Sequence, residues 1–315
     1  MTLLHNDHGK IPGPAQGAVL AIGNFDGIHL GHRALIEKAR GLALQEQAPL
    51  GVMTFEPHPR QFFQPTGEPF RLSLLPMKER LLKELGVGHI FAFEFNQEFS
   101  RLTGEEFIDR ILVQNLKARH VVVGEGFAFG HRRSGTTDTL KAAAAAGKFR
   151  LSIVTPVASP AGQIYSSTTI RELLRQGRFT EAATLLGWDW QMEAAVVHGD
   201  ARGRALGYPT ANQDMPDYVR IPYGVYAVKV LIEGDTLWRG GAANFGIRPM
   251  FRRRDPVFET FIFDFSHDIY GKMMRVQPLR HLRPELSFTG LPALVAQMKD
   301  DCIAAKAVLK SLHAP

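Results

Sequence analysis

The sequence predicts two domains of different class, an α/β domain with a doubly wound parallel sheet followed by an all-β domain. At 315 residues the chain is longer than a typical single domain. Candidate strands and helices alternate from residue 18 to residue 154, which is typical of a parallel sheet covered by helices. From residue 191 short strands follow one another between glycines and prolines, a pattern that favours a small barrel or sandwich.

The first domain contains five apolar candidate strands separated by helical patterns. They span residues 18–23, 50–55, 89–95, 119–123 and 149–154. After the first strand, Leu35, Ala39 and Leu42 recur at helical spacing and predict a helix with one buried face. Thr103 and Glu106 have the spacing of a capping box and therefore mark the start of another helix.

Two more helices are predicted before the pattern changes, over residues 167–176 and 180–186. Each is followed by a glycine, which commonly ends a helix. Because the periodicity changes just beyond them, we place the domain boundary between Gly187 and Trp188. The predicted domains are therefore residues 1–187 and 188–315.

The second domain alternates apolar with smaller or polar residues along one candidate strand, at Tyr226, Val228, Val230 and Ile232. Residues 258–265 are aromatic and favour a second strand. A helical pattern returns at about Pro292. The expected architecture is a small β-barrel or sandwich closed by a C-terminal helix.

Composition and charge restrict the function classes. Hydrophobic residues make up 45% of the chain and charged residues 22%, which is ordinary for a globular protein. The net charge of +6 comes from scattered lysines and arginines, so we expect anionic small molecules as ligands rather than nucleic acid. The single cysteine, Cys302, excludes an internal disulfide and a cysteine metal cluster.

The first 14 residues contain no apolar signal core. No stretch approaches the roughly 20 apolar residues that a membrane span needs. We therefore expect a cytoplasmic protein that does not contact a membrane and is a monomer or a weak homo-oligomer.

The junction between the first strand and the next helix is rich in glycine and carries two histidines. Residues 23–32 read GNFDGIHLGH. A helix start attracts anions through its unpaired N–H groups, and glycines let a ligand approach the backbone. His29 and His32 are three residues apart, so both rings can face one phosphate and stabilise charge during nucleotidyl transfer. The alternative is a turn that only closes a β-α-β unit, with both histidines on the surface.

Two other segments of the first domain follow predicted strands, where open α/β sheets bind ligands. His58 lies between two prolines that hold the chain extended, and it can either meet a nucleotide or be exposed in a turn. The loop over residues 124–135 contains Phe127 and Phe129, which can stack on a flat ring. A surface loop without a ligand is the alternative.

The segment SSTTIR, residues 166–171, opens a predicted helix. Ser167 or Thr168 can cap this helix, and their hydroxyl groups can also face a phosphate. Arg171 lies one turn into the helix, where a lone cation opposes the helix dipole. A bound anion would remove that conflict, so the segment is a second candidate phosphate contact.

Three side chains form the candidate site of the second domain. Thr210 and Asn212 of the segment GYPTAN face one side of a strand and can offer two neutral oxygens to phosphate-bound Mg²⁺. The segment alone favours a strand-entry turn. Glu259 shares a strand face with Val257 and Phe261, and a carboxylate on an apolar face is a candidate base. An arginine partner or a place at the open end of the strand would explain Glu259 equally.

Taken together, these motifs resemble the prokaryotic bifunctional riboflavin kinase/FAD synthetases, from about Ala18 to the C-terminal helix. The resemblance implies that the first domain is a Rossmann-like FMN adenylyltransferase of the HxGH nucleotidyltransferase superfamily. His29, His32 and Arg171 would then be catalytic. The implied nucleotide contacts are Gly23, Asn24, Phe25, Asp26, His58, Ser167 and Thr168, and the implied flavin contacts are Gly126, Phe127 and Phe129. Gly126 departs from the Asp or Asn usual in the family.

The same resemblance implies that the second domain is a riboflavin kinase, a six-stranded β-barrel. Thr210 and Asn212 would bind Mg²⁺-ATP, Gly203 and Gly207 would contact the nucleotide, and Glu259 would deprotonate the 5′-hydroxyl group of riboflavin. Met250 replaces the more usual threonine. In the adjoining loop, residues 252–254 are three arginines, for which a solvated charge run is the interpretation.

The resemblance therefore implies two consecutive reactions that use ATP and Mg²⁺, with riboflavin, FMN and FAD as substrates and products. One alternative is a nucleotidyltransferase that acts on another phosphate or alcohol and carries the barrel as a regulatory appendage. A second is a nucleotide-sensing or RNA-binding protein, which only the pI of about 9.5 supports.

Overall fold

The computed structural model describes residues 2–159, 162–199, 203, 206–247 and 256–312. The chain divides into two compact units. The first consists of Met1–Glu68 and Ser73–Ser167, and the second of Pro69–Leu72 and Thr168–Pro315. None of the described helices is long and apolar enough to cross a membrane.

The first unit is built on a six-stranded sheet. Its strands are β1 Leu3–His5, β2 Val19–Ile22, β3 Leu50–Glu56, β4 His89–Glu94, β5 His120–Gly124 and β6 Arg150–Val154. They lie in the order β1-β4-β3-β2-β5-β6, and every neighbouring pair is parallel. The predicted α/β class is thus confirmed, and the sheet also gains β1, a short edge strand that the sequence pattern did not predict.

The helices of this unit lie between the strands. They are α1 Leu30–Gln45, α2 Pro59–Phe63, α3 Leu75–Glu84, α4 Gly104–Glu106 and α5 Thr137–Ala145. The capping box predicted at Thr103 and Glu106 is present, with both hydrogen bonds formed. The chain continues from α4 as a π-helix, Phe107–Asn115, and its apolar side chains pack into the core under the sheet.

The order of the strands positions the first candidate site. The chain runs from β2 to β3 and β4 on one side and returns to β5 on the other, so β2 lies beside the topological switch point. In open α/β sheets, ligands bind outside the carboxyl ends of the strands at this point. The GNFDGIHLGH segment begins at Gly23, immediately after β2.

The second unit is built on a six-stranded antiparallel sheet. Its strands are β7 Met192–Ala195, β8 Thr210–Asp214, β9 Gly224–Ile232, β10 Arg239–Ile247, β11 Pro256–Ile262 and β12 Met273–Arg283. They lie in the order β7-β12-β9-β10-β11-β8. A bridge between Val197 and Asn212 brings the two end strands together, so the sheet nearly closes into the expected barrel.

Among the described residues, the helices of this unit include α6 Ser167–Arg175 from Thr168 onward, α7 Phe179–Leu186 and α8 Leu291–Ser311. The ring of Phe179 lies 6.5 Å from that of Trp190 and 5.9 Å from that of Tyr226. These contacts explain why α7 groups with the barrel. The compact units therefore divide between Ser167 and Thr168, whereas the sequence placed the boundary after Gly187. Met250 and residues 252–254 lie outside the described residues.

Candidate active sites

The first candidate site forms where β2 passes into α1. His29 is the N-cap of α1, and its Nδ1 accepts a hydrogen bond of 3.3 Å from the backbone N–H of His32. The two imidazole rings are stacked, with centroids 3.7 Å apart. Because Nδ1 is an acceptor, the neutral His29 ring carries its proton on Nε2, which can donate to a phosphate. The two histidines that the sequence singled out are therefore adjacent at a helix start.

The loop between Gly23 and His29 is held in an unusual backbone conformation. Phe25 and Ile28 have φ angles of 48° and 39°, in the left-handed region that non-glycine residues rarely occupy. Both side chains are fully buried, and the Phe25 ring lies 5.2 Å from that of His32. Phe25, predicted as a nucleotide contact, thus packs against the His32 ring from the protein interior. Asn24 is exposed.

The carboxylate of Asp26 faces the interior of the first unit. Its Oδ1 accepts a hydrogen bond of 3.0 Å from the N–H of Ser73, and the Ser73 hydroxyl accepts one of 2.8 Å from the N–H of Gly27. The hydroxyl of Ser167 donates to the Asp26 carbonyl at 3.0 Å. Asp26 and Ser167, both predicted to contact the nucleotide, therefore also fix the loop that carries His29.

A buried lysine supports the same loop, and the sequence reasoning missed it. The Lys78 ammonium donates to the carbonyl of Asn24 at 3.0 Å and to Oε1 of Glu56 at 2.8 Å. The Lys78 side chain is completely buried, which a lysine tolerates only when paired. Its position between Met77 and Leu81 on the buried face of α3 is the sequence signal that could have revealed it.

The His58 segment and the Phe127 loop, two other predicted segments of the first unit, are each held by contacts within the segment. His58 caps α2, and its Nδ1 accepts a hydrogen bond of 3.1 Å from the N–H of Arg60. Phe129 belongs to the buried core, and Phe127 stacks on it with ring centroids 5.3 Å apart. Of this pair, Phe127 is the more exposed ring. A Cβ atom at Gly126 would have no neighbour within 4 Å, so the loop has room for a side chain there.

Thr168 and Arg171 lie on α6 in the second unit, where Thr168 is exposed. Nε of Arg171 donates to the carbonyl of Phe70 at 2.7 Å, and the guanidinium lies 5.2 Å from the centre of the Phe70 ring. Phe70 thus offsets part of the unfavourable interaction between the Arg171 charge and the helix dipole, for which the sequence analysis invoked a bound anion.

The second candidate site lies on two paired strands of the barrel. Glu259 of β11 is directly opposite Asn212 of β8 and Asn244 of β10, and Phe261 is opposite Thr210. Cross-strand partners have side chains on the same face of a sheet. The predicted carboxylate and the predicted pair of neutral oxygens therefore share one face.

Two cavities border the strands β8 and β11. The α8 cavity, of about 370 Å³, lies between the barrel and α8, and its lining includes Tyr208, Thr210, Asn244, Glu259, Phe261 and Cys302. The Tyr270 cavity, of about 440 Å³, has a lining that includes Thr210, Thr260, His267, Asp268, Ile269 and Tyr270. Thr210 borders both cavities. Both volumes are within the range of small-molecule sites.

The two cavities differ in character. In the α8 cavity, burial and the neighbouring Asp301 raise the pKa of the Cys302 thiol, which keeps it protonated. In the Tyr270 cavity, the fully buried Thr260 hydroxyl has no hydrogen-bond partner among the residues that the structure describes. A buried polar group without a partner is costly, so this wall favours a polar ligand.

The predicted glycines shape the approach to Asn212 and Thr210. Gly203 accepts a backbone hydrogen bond of 2.8 Å from Tyr208, and a Cβ atom at Gly203 would collide with the Tyr208 carbonyl. Gly207 has a φ of 83°, which favours glycine. Gly199 packs so closely on the Asn212 side chain that a Cβ atom would overlap it. The sequence analysis did not assign a role to Gly199.

Comparison with known proteins assigns a family to each part of the chain. The family model described as FAD synthetase matches residues 12–169, and the one described as riboflavin kinase matches residues 186–309. The bifunctional riboflavin kinase/FMN adenylyltransferase of Escherichia coli (strain K12) is 36% identical over 306 residues, which are 97% of each chain. The protein of the same name from Bacillus subtilis (strain 168) is 34% identical over 290 residues, 90% of each chain.

A solved structure has the same fold over nearly the whole chain. It is described as a macrolide-efflux protein from Streptococcus pneumoniae, is 33% identical and superposes with a TM-score of 0.77. The match covers 95% of this chain and 97% of that one. Both family models and the curated relatives agree with each other. The chain belongs to the bifunctional riboflavin kinase/FMN adenylyltransferase family.

Proposed function

We propose that the chain performs its two activities at the two sites described above, with a separate set of side chains for each. The second unit converts riboflavin and ATP to FMN and ADP. The first unit converts FMN and ATP to FAD and pyrophosphate. The observation that carries the proposal is the register of the barrel, because it puts Glu259 opposite Asn212 on the face that borders the α8 cavity. Thr210, at the end of β8, borders both this cavity and the Tyr270 cavity.

In the kinase reaction, the α8 cavity holds riboflavin and the Tyr270 cavity holds the nucleoside of ATP. Phe261 and Tyr208, whose rings lie 5.2 Å apart, supply the apolar surface that a flavin ring needs. The hydroxyl of Thr260 supplies a polar partner on the nucleoside side. The triphosphate then reaches Thr210, which borders both cavities, and this places the γ-phosphate next to the flavin site.

Glu259 is the proposed base of this reaction. Its carboxylate accepts the proton of the riboflavin 5′-hydroxyl group while the oxygen attacks the γ-phosphorus and ADP leaves. Glu259 borders the α8 cavity, so it is on the side where the alcohol binds.

The donor set at Thr210 and Asn212 fits Mg²⁺, because this hard ion prefers oxygen ligands and normally takes several of them from substrate phosphates. Thr210 and Asn212 would hold the ion through a hydroxyl and an amide oxygen. Bound Mg²⁺ would neutralise charge on the ATP phosphates. Gly199 keeps the Asn212 side chain in place, and Gly203 and Gly207 form the turn that leads to Thr210.

In the adenylyltransferase reaction, we assign the entry of α1 to the ATP phosphates. His29 and His32 donate to oxygens on the α-phosphate and the departing pyrophosphate as an oxygen of FMN phosphate attacks the α-phosphorus. Gly23 and Asn24 line this entry. His58 contacts the nucleotide, and its Nε2 carries the ring proton because Nδ1 accepts from Arg60.

The remaining assignments rest on the family resemblance. Phe127 is the better candidate for stacking on the flavin, since Phe129 belongs to the core. Thr168 and Arg171 are kept as phosphate contacts. A cytoplasmic location and a monomeric or weakly oligomeric state are further proposals of the same kind.

One incubation tests the proposed function. The purified chain is supplied with riboflavin, ATP and Mg²⁺, and the flavins are separated by chromatography. We expect FMN to form first and FAD to follow. A chain that adenylylates another phosphate but leaves riboflavin unchanged would instead be a nucleotidyltransferase with a regulatory barrel. Retention on heparin without ATP turnover would favour an RNA-binding protein.

A further inference from the structure

A hydrogen-bonded triad of serine, histidine and glutamate side chains lies at the end of α1 that is away from His29. Nδ1 of His120 lies 2.7 Å from Oε1 of Glu46, and Nε2 of His120 lies 2.9 Å from Oγ of Ser152. Glu46 follows the last residue of α1, and the other two residues lie on the adjacent strands β5 and β6. All three side chains belong to the first unit.

The pKa of Glu46 determines which atoms of the triad carry protons. Burial would raise the pKa of Glu46, but hydrogen bonds from His120 and Arg150 outweigh it and hold the pKa below its ordinary value. The ionised carboxylate can only accept, so Nδ1 of a neutral His120 must donate to it. Nε2 is then the acceptor of a hydrogen bond that the Ser152 hydroxyl donates. These are the roles of acid, base and nucleophile in a serine hydrolase triad.

The burial of the three residues is graded. The side chains of Glu46 and His120 are each 7% exposed, whereas Ser152 is half-buried on the edge strand β6. Oε2 of Glu46 is buried and has no hydrogen-bond partner among the described residues. A geometry in which the acid and base are shielded from water and the nucleophile is partly exposed is suited to attack on an added electrophile.

Two arginines contact Glu46 at this triad. NH1 of Arg150, on β6, lies 3.3 Å from Oε1 of Glu46, and the Arg150 side chain is 70% exposed. NH1 of Arg119, just before β5, donates to the backbone carbonyl of Glu46 at 2.7 Å. These contacts fix Glu46 at the end of α1, so Glu46 is a positioning residue for His120.

We propose that Ser152 is an activated nucleophile, a second reactive site of this chain that accepts acyl or phosphonyl groups from activated esters and fluorophosphonates. With a fluorophosphonate, a bond forms between Oγ of Ser152 and phosphorus, and the phosphorus–fluorine bond breaks. The hydroxyl proton passes to Nε2 of His120, and fluoride leaves. With an activated ester, the same proton transfer accompanies acylation of Oγ, and the alkoxide or phenolate departs.

The test is labelling of the full-length chain with a fluorophosphonate, followed by peptide mass spectrometry. Ser100, whose hydroxyl donates to the carbonyl of Gln97 without a histidine partner, is the internal reference. We expect Ser152 to be modified at least about tenfold faster than Ser100. Equal labelling of the two serines in the unaltered chain would overturn the proposal, and this comparison requires no variant to fold.

Three variants separate activation from simple exposure. Ser152→Ala should lose the label, while FMN and FAD formation stay unchanged, which shows that the variant is folded. His120→Gln should slow labelling of Ser152 about tenfold or more and leave labelling of Ser100 unchanged, while Glu46→Gln should have a smaller effect on Ser152. If labelling of Ser152 is as fast in His120→Gln as in the parent chain, its reactivity comes from exposure alone and the proposal fails.

Discussion

Glu259 and Asn212 are direct cross-strand partners, in the same register that pairs Phe261 with Thr210. A carboxylate and an amide oxygen are thus held on one face by backbone hydrogen bonds rather than by flexible loops. This register connects the sequence to the proposed kinase chemistry, because it places the proposed base and the two proposed oxygen ligands of Mg²⁺ on paired strands.

Replacing Glu259 with Gln should remove FMN formation selectively. We expect the rate of riboflavin phosphorylation to fall about 10²–10⁴-fold, since the amide cannot accept the alcohol proton. Formation of FAD from supplied FMN should not change. Chromatography of both reactions measures the two rates. Glu233→Gln is the matched control, because Glu233 lies on the barrel and is exposed. An equal loss of both activities in folded protein would refute the assignment.

Replacing His32 with Ala should have the opposite effect. We expect adenylylation of FMN to fall about 10²–10³-fold, because a donor to the transition-state phosphate is lost. Riboflavin phosphorylation should continue at the parent rate, and His29→Ala should behave in the same way. Pyrophosphate release measures the first reaction and FMN formation the second. Lys38→Ala, an exposed change on the same helix, should affect neither.

Two glycines of α1 provide a matched pair of variants. A Cβ atom at Gly31 would lie 3.1 Å from the His29 ring and 3.2 Å from the Cβ of Tyr165, so Gly31→Ala should displace His29 and slow FAD formation. A Cβ atom at Gly41 would meet nothing within 4 Å. Gly41→Ala should therefore leave FAD formation unchanged and stabilise the chain by about 0.5–1 kcal/mol.

Thermal or urea unfolding of each variant, together with its rate of FAD formation, checks this pair. The interpretation of His29 as a phosphate donor would be contradicted if Gly31→Ala retained full adenylyltransferase activity while its His29 ring was shown to have moved.

Gly199→Ala should weaken the kinase through Asn212. The added methyl group must displace the Asn212 side chain, and loss of a supporting contact typically lowers metal affinity or activity about 10–100-fold. We expect the Mg²⁺ concentration required for half-maximal FMN formation to rise, with no change in FAD formation from FMN. A titration of Mg²⁺ in the two assays measures this. An unaltered Mg²⁺ requirement would show that Asn212 does not hold the ion.

Hydrophobic periodicity, together with the glycines and prolines between elements, was sufficient to predict much of the fold. Strands β2 to β6 of the first sheet, and β9 and β11 of the second, follow the predicted runs. The capping box at Thr103 and the C-terminal helix also lie where the sequence indicated. The edge strand β1 was missed, since three residues are too few for a periodic signal. The position of α7 depends on the contacts of Phe179 with Trp190 and Tyr226, which no local pattern reveals.

The candidate sites were predictable to a similar degree. The strand alternation that grouped Glu259 with Phe261 agrees with the cavity that both residues line. The support of the His29 loop by Lys78 and Ser73 was not predictable, because both residues are more than 40 positions away from the atoms they contact in the loop. Short motifs indicate candidate groups for ligand contact, whereas the groups that support these candidates come from distant parts of the chain.

Mixing two inactive variants tests the central claim of two independent sites most directly. Glu259→Gln and His32→Ala are each incubated with riboflavin, ATP and Mg²⁺, alone and together, and FAD is measured by chromatography. We predict that neither variant alone makes FAD, that His32→Ala accumulates FMN, and that the mixture makes FAD because FMN from one chain is adenylylated by the other. A mixture that accumulates neither FMN nor FAD, although both variants are folded, would contradict the account.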